Sequence, residues 1–282
     1  MSIDLHTHST ASDGTDTPAE LVAAANRAGV DTLALTDHDS TAGWAAAARA
    51  LPPGMTLVPG AEISCVYRRG ETERVPLHLL AYLFDDAGSP LTRALDELCL
   101  DRVSRARVMV ERMRRSGLPI DWPTVEALAA GGTVGRPHLA RALVQAGYMA
   151  SVDAAFAGPV GSNSPYYVPK ADIPVLDAIA MVRASGGICV FAHPLRRGRH
   201  VGDDGIAEMA AAGLRGLEVD HPDHDPAARD HLAGVAAALG LVRTGSSDYH
   251  GTNKTTRIAA CTTAPEQFAA LVEPVRERLL VA

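Results

Sequence analysis

Thr32-Leu-Ala-Leu-Thr-Asp-His-Asp39 is a short apolar run that ends in metal-type side chains. A run of that length, bounded by polar residues, reads as a buried strand. Upstream, residues 2–5 form a second strand candidate that runs straight into His6 and His8. Between the two, residues 18–28 read as a helix, with Thr17 as N-cap, Pro18 at the first position and Gly29 as the stop. Strand, helix, strand is the repeating unit of α/β sheets, and here each strand delivers His and Asp at its C-terminal end.

Working outward, a further helix reaches residue 50. Residues 56–58 and 63–66 read as two short strands flanking Gly60 and Glu62, and residues 76–84 as another. From 91 to 148 the rhythm changes to helix after helix with Arg-rich faces. Gly131-Gly132 and Gly135-Arg136-Pro137 punctuate that block, and a Pro-containing extended segment spans 162–173. Alternation resumes at 187–192, 216–219 and 241–245, for about seven strands in all. The expected organisation is an α/β barrel domain over 1–90 and 175–282, with a helical insertion over 91–174 that covers the active-site rim.

Bulk composition narrows the function. With 47% hydrophobic residues among 282, the chain can bury a large core as one barrel or two ordinary domains. A net charge of -7 argues against a protein that holds nucleic acid through phosphate contacts alone. Aromatics at 4% leave no broad stacking platform for single strands. Cys65, Cys99, Cys189 and Cys261 form no CxxC pair, and three lie in apolar surroundings, which reads as buried reduced thiols. Nothing marks export or membrane insertion, so the expected location is cytoplasmic.

Position is the informative property of the metal-type residues. His6, His8 and Asp13 follow the first strand, and Asp37, His38 and Asp39 the second. Glu62 sits at the third, His78 lies within the fourth, His193 ends the 187–192 strand, and Asp248 and His250 follow the last. In parallel barrels the C-terminal strand ends converge on one rim, where functional groups assemble. His-x-His on an extended segment points both rings to one side, and imidazole with carboxylate suits zinc, iron or manganese. Taken singly, each has a plainer reading: His78 as a core histidine, Asp13 and Asp39 as helix caps or turn residues, His193 as a strand terminator. Their coincidence at strand ends favours a shared site. His200 reads as a solvated loop residue and His231 as structural; His221 and His224 follow another strand end and either line the site or belong to a polar loop, with the loop reading slightly favoured.

Asp4-Leu-His-Thr-His-Ser9, Thr36-Asp-His-Asp39, Gly60-Ala-Glu62, His78, Ala192-His-Pro194 and Ser247-Asp-Tyr-His-Gly251 resemble the PHP (polymerase and histidinol phosphatase) family, in the same order along the whole chain. The resemblance implies a distorted (β/α)7 TIM-like barrel with a helical insertion. The stretches Gly135-Arg-Pro-His138 and Tyr166-Tyr-Val-Pro-Lys170 look like its stand-alone branch of 3',5'-nucleotide bisphosphate phosphatases and 5'-to-3' oligonucleotide exonucleases. It further implies three divalent ions (Mn, Fe or Zn). The first would take His6, His8, Glu62 and Asp248, the second Glu62, His78 and His193, and the third Asp13, His38 and His250.

The implied nucleophile is a water or hydroxide held between metals, since a bound cation lowers the pKa of water from 15.7 to about 7. Asp37 or Asp39 is expected to orient His38. Arg136 and His138 are candidate phosphate contacts, with Arg196 and Arg197 as an exposed basic loop. Tyr166, Tyr167 and Lys170 either wall a nucleoside pocket or pack the insert. The expected partner is a nucleotide or short oligonucleotide, with no stable nucleic-acid complex and no membrane. Rival readings are a histidinol-phosphate-type phosphatase, a metal-dependent amide or lactone hydrolase, and a non-catalytic metal module.

Overall fold

The computed structural model describes residues 1–70, 72–195 and 201–282. The chain opens with β1 (Ile3–Asp4), α1 (Pro18–Arg27), β2 (Thr32–Leu35) and α2 (Trp44–Arg49). At the start of α1 the Thr17 hydroxyl accepts the Glu20 N–H while Glu20 accepts the Thr17 N–H, closing a capping box. There follow β3 (Thr56–Arg69), β4 (Glu73–Tyr82) and the helices α3 (Pro90–Arg115), α4 (Trp122–Leu128), α5 (Arg136–Gln145) and α6 (Val152–Ala157). The last third holds β5 (Ile173–Pro174), α7 (Val175–Ala184), β6 (Ile188–Phe191), α8 (Gly202–Ala212), β7 (Gly216–Asp220), α9 (Pro226–Leu239), β8 (Val242–Gly245), α10 (Pro265–Val272) and β9 (Leu280–Val281).

Strand order is β1-β2-β3-β4-β6-β7-β8, with β5 and β9 added alongside β3. The segments that follow β1 and β8 meet in a parallel bridge between Thr7 and Tyr249, where the His8 N–H donates to Tyr249 O at 2.9 Å. The sheet is thereby a nearly closed barrel with helices outside it, as the alternating pattern implied. Ile3, Leu5, Ala34, Val58, Leu80 and Val190 fill its interior. The Tyr82 hydroxyl, buried among them, donates to Leu5 O at 2.7 Å.

Two sequence expectations need correction here. The strands read as 56–58 and 63–66 are one strand, β3. Its first part pairs parallel with β2 and its remainder antiparallel with β4. Gly60 does not break it: a Cβ there would lie 2.7 Å from Ala81 O, so glycine is what lets the neighbouring strand approach. The alternation is also not wholly parallel, because β4 is antiparallel to both β3 and β6. The connection from β3 to β4 is too short for a crossover, and only a hairpin can span it. This reversal brings the first half of β4, and His78 with it, to the rim where the other strands end.

α3 has 26 residues, about 39 Å at the usual helical rise. Leu91, Leu95 and Leu98 near its start pack into the cluster shared with the sheet and α7. Met109, Val110 and Met113 near its end join a separate cluster with Val125, Leu139 and Leu143 from α4 and α5. All four cysteines are free, but only Cys65 and Cys189 are buried; Cys99 and Cys261 are half-buried, one fewer in the interior than expected. Among the described residues no helix is long and apolar enough to cross a membrane.

Candidate metal centre

Glu62, on β3, is 1% exposed and stands at the centre of the rim. Its carboxylate lies 3.2 Å from His6 Nε2 and 3.2 Å from His8 Nε2, both delivered by the segment after β1. It also lies 3.0 Å from His38 Nδ1, 2.6 Å from His78 Nδ1 and 2.9 Å from His193 Nε2. Asp248 Oδ1 is 3.6 Å from His6 and 3.4 Å from His8. Asp13 completes the group, 3.3 Å from His250 and 3.7 Å from His38. All nine residues singled out from the sequence therefore meet in one cluster. The backbone is left-handed at Asp39 (φ 54°), His193 (φ 32°) and Asp248 (φ 51°). Each such non-glycine residue costs of order 1 kcal/mol, and such conformers concentrate at functional sites.

Burial works against every charge in this cluster, and the neighbours decide the outcome. Glu62 is held well below the usual carboxylate range because His38, His78 and His6 outweigh its desolvation. Burial opposes protonation of His6 and His8 too. Glu62, Glu218 and Asp248 nonetheless lift His6 well above its ordinary value, and Asp248 and Glu62 lift His8 to about 9. Burial wins at His78, which falls well below the usual range, and at His250, which burial, His8 and Lys254 push down to about 4.

His6 Nε2, His8 Nε2, His38 Nδ1 and His78 Nδ1 are buried and lack a hydrogen-bond partner. They lie close to carboxylate oxygens without good hydrogen-bond geometry, which is costly in a buried site. Donor atoms gather within 4.8 Å in four sets: His8, Asp13, His38 and His250; His6, His8 and Asp248; His6, Glu62 and His193; and His38, Glu62 and His78. The residues present fit divalent cations of the zinc, iron or manganese type. Because His6, His8, His38 and Glu62 recur among the sets, the sets do not count ions.

Supporting partners surround the cluster. Glu218, within the apolar strand β7, lies 3.1 Å from His6 Nδ1 and accepts the His193 N–H at 2.7 Å and the Ser246 hydroxyl. It fixes the His6 ring with Nε2 facing the centre. The sequence reading missed Glu218, although a lone carboxylate inside an apolar strand was the available signal. Neither Asp37 nor Asp39 orients His38, contrary to expectation. Asp37 accepts from the Ser9 N–H at 2.8 Å and the Ser12 hydroxyl at 2.6 Å. Asp39 accepts from the Ser64 N–H at 2.6 Å and from Arg102 Nε at 2.6 Å.

A cavity of about 620 Å³ opens beside the cluster, with His38, His78, His193, Asp248 and His250 on one side. Arg102 and Arg105 from α3, Arg136 from α5 and Lys170 from the segment before β5 line it too, as does Lys254, whose ammonium meets Asp248 Oδ2, from beyond β8. Arg136 and Lys170 were singled out from sequence; Arg102, Arg105 and Lys254 were not. His138 and Tyr167 do not line this cavity. His138 is buried and its Nδ1 accepts the Gly135 N–H at 3.0 Å, capping α5. Tyr167 packs with the insert and carries the guanidinium groups of Arg105 and Arg136 over its ring, at 5.4 and 5.6 Å. Of the two readings open for His221, the slightly favoured polar loop gives way to the other: it is buried at the cavity wall 3.4 Å from Asp248, with His224 behind it. His231 pairs on the surface with Asp203. Arg196, Arg197 and His200 lie outside the described residues.

A family model described as a PHP domain matches residues 4–115. A 5'-3' exoribonuclease of Haemophilus influenzae is 36% identical over 254 residues, spanning 88% of this chain and 89% of that protein. The chain belongs to the PHP family. Two further relatives of this PHP protein are a phosphoribosyl 1,2-cyclic phosphate 1,2-diphosphodiesterase of Eggerthella lenta, 34% identical, and a 3',5'-nucleoside bisphosphate phosphatase of Chromobacterium violaceum, 32% identical. Each aligns over 88% of this chain and over 94% and 87% of the respective relative. Among solved structures, one from Bifidobacterium adolescentis described as a metal-dependent phosphoesterase superposes with a TM-score of 0.88. It is 35% identical, over 96% of both chains.

Proposed function

We propose that this PHP protein hydrolyses a phosphate ester of a nucleotide: a nucleotide 3',5'-bisphosphate, or the 5' end of a short oligonucleotide. The observation that carries the reading is a cavity lined by a His and carboxylate cluster, with Arg136 and Lys170 also lining it and Lys254 beside Asp248. Its volume of about 620 Å³ is of the size that holds one small ligand, which suits a mononucleotide or a strand end. An amide or lactone substrate has no use for those cationic side chains. The relatives' activities, on nucleotide or phosphoribosyl esters, point the same way.

In this reading His6, His8, Glu62 and Asp248 hold one ion, Glu62, His78 and His193 a second, and Asp13, His38 and His250 a third. Manganese, iron and zinc all suit the donors. When bound, such ions supply Lewis-acid polarisation of a phosphoryl oxygen and acidify water. The chain's own groups do the positioning. Glu218 keeps the His6 ring turned, Arg136 and Lys170 neutralise the non-reacting phosphate, and residues 91–174 cover the rim and limit water. Four free cysteines suit a reducing cytoplasm.

The test is phosphate release from a nucleotide 3',5'-bisphosphate and cleavage of a 5'-phosphorylated oligonucleotide by metal-replete protein. Activity on at least one is expected, and its loss in His193→Ala. Arg136→Ala should lower kcat/KM about 10- to 100-fold, the worth of charge-assisted hydrogen bonds to one phosphate. A replete protein inert on both substrates overturns the nucleotide reading.

A further inference from the structure

His221 follows β7 directly and is 1% exposed, yet it lines the cavity. Its Nδ1 accepts the backbone N–H of Asp223 at 3.0 Å. A backbone amide can only donate, so Nδ1 carries the lone pair and the neutral ring bears its proton on Nε2. That Nε2 is buried and has no hydrogen-bond partner. It lies 3.4 Å from Asp248 Oδ2, an oxygen that already accepts the Lys254 ammonium. The His221 Nε2–H thus has no well-formed hydrogen bond, the oxygen beside it being shared with the Lys254 ammonium, and it sits next to the metal-type cluster.

The ring cannot readily turn away. The His221 N–H donates to Val219 O at 3.1 Å, and the His224 N–H to His221 O at 3.0 Å. Arg229 Nη2 donates to His221 O at 2.9 Å and Arg229 Nε to His224 O at 3.1 Å. The His193 ring packs edge-on at 5.4 Å. Ligation of an ion through Nε2 would need the proton on Nδ1, where it would face the Asp223 N–H. Consistently, none of the four donor sets contains His221.

We propose that His221 is a substrate-contacting residue whose Nε2–H donates a hydrogen bond to a non-bridging phosphoryl oxygen of the ester seated beside Asp248. The role rests on the phosphoesterase reading above. No proton is transferred. A preorganised donor aimed at developing charge in a water-poor site acts mainly on kcat, by about 100-fold or more when removed.

The experiment pairs His221→Gln with His221→Asn in metal-loaded protein, reading metal content, kcat, KM and the affinity for inorganic phosphate. Gln sets its amide N–H near the position of Nε2 but abandons the Asp223 N–H. Asn keeps an acceptor for Asp223 but cannot reach the cavity. The expected result is a kcat within about 10-fold of the parent for Gln, against a fall of about 100-fold and weaker phosphate binding for Asn. The reverse order would make His221 a loop cap and overturn the proposal, as would loss of bound metal in the Asn variant. If the parent hydrolyses no phosphate ester, the functional reading fails separately, and phosphate affinity across the two variants still decides the contact. Histidine-labelled NMR of the unmodified protein checks the premise independently: a proton on Nδ1 of His221 overturns it.

Discussion

Glu62 at the barrel rim and Glu111 on the outer face of α3 are both carboxylates held below their usual range by basic neighbours, Glu111 at about 2. Glu62 is 1% exposed and meets five imidazoles, whereas the Glu111 side chain is 40% exposed and meets Arg114 and Arg115. Water screens the second arrangement and can replace either partner, so it adds little to stability. At the rim there is no such replacement. The carboxylate and the rings there are held against one another in a buried cluster whose donor atoms could hold metal ions. The same direction of shift thus comes from a buried, crowded cluster in one region and from a water-screened surface pair in the other. Arg102 links the two regions, since it starts from α3 and reaches Asp39 Oδ2 at 2.6 Å and the Ser64 hydroxyl at 2.7 Å.

The largest effect should follow Glu62→Gln. Removing the charge that faces five rings is expected to lower metal content and to cost activity beyond the roughly 10- to 100-fold typical of an outer partner. Full metal occupancy in this variant, measured by mass spectrometry, would break the contrast drawn above. Next comes Arg102→Ala, which leaves Asp39 buried without its nearest cation and should cost about 3–5 kcal/mol in urea unfolding.

That second loss carries a pH signature. Burial raises the Asp39 pKa, but Arg102, Lys170 and His38 hold it below its ordinary value. A depressed carboxylate stabilises the fold above its unfolded pKa and loses that contribution as pH falls through the folded one. The gap between parent and variant should therefore be full at pH 7 and narrow below about pH 4. A gap that stays constant with pH would assign Arg102 to packing alone. The smallest effect belongs to Glu111→Ala, for which no measurable change in Tm is expected; a clear drop would show that the surface cluster does more than its exposure allows.

How much was legible follows from what kind of information each residue carries. His6, His8, His38 and Asp248 announce themselves because each trails an apolar run, and strand ends of one barrel meet whatever their separation in sequence. Glu218 was hidden because its partner His6 lies 212 residues away, and a strand glutamate looks the same paired or unpaired. Arg102 and Lys254 were hidden as ordinary charged residues in a helix and a loop. His138 and Tyr167 were over-read: the Gly135-Arg-Pro-His138 stretch does start a helix, but the same start uses the histidine as its cap.

Local sequence determined the alternation of strands and helices, the helix starts at Thr17 and Gly135, and the residue types delivered to the rim, because periodicity, capping and turn chemistry act within a few residues. Tertiary structure alone decided that β3 is continuous through Gly60, that β4 runs backwards and carries His78 to the rim, and that the His221 ring turns its Nδ1 to the Asp223 N–H. Those outcomes depend on which backbone lies alongside, on Ala81 O against Gly60 and on the Asp223 N–H against the His221 ring, and such contacts exist only once the chain has folded.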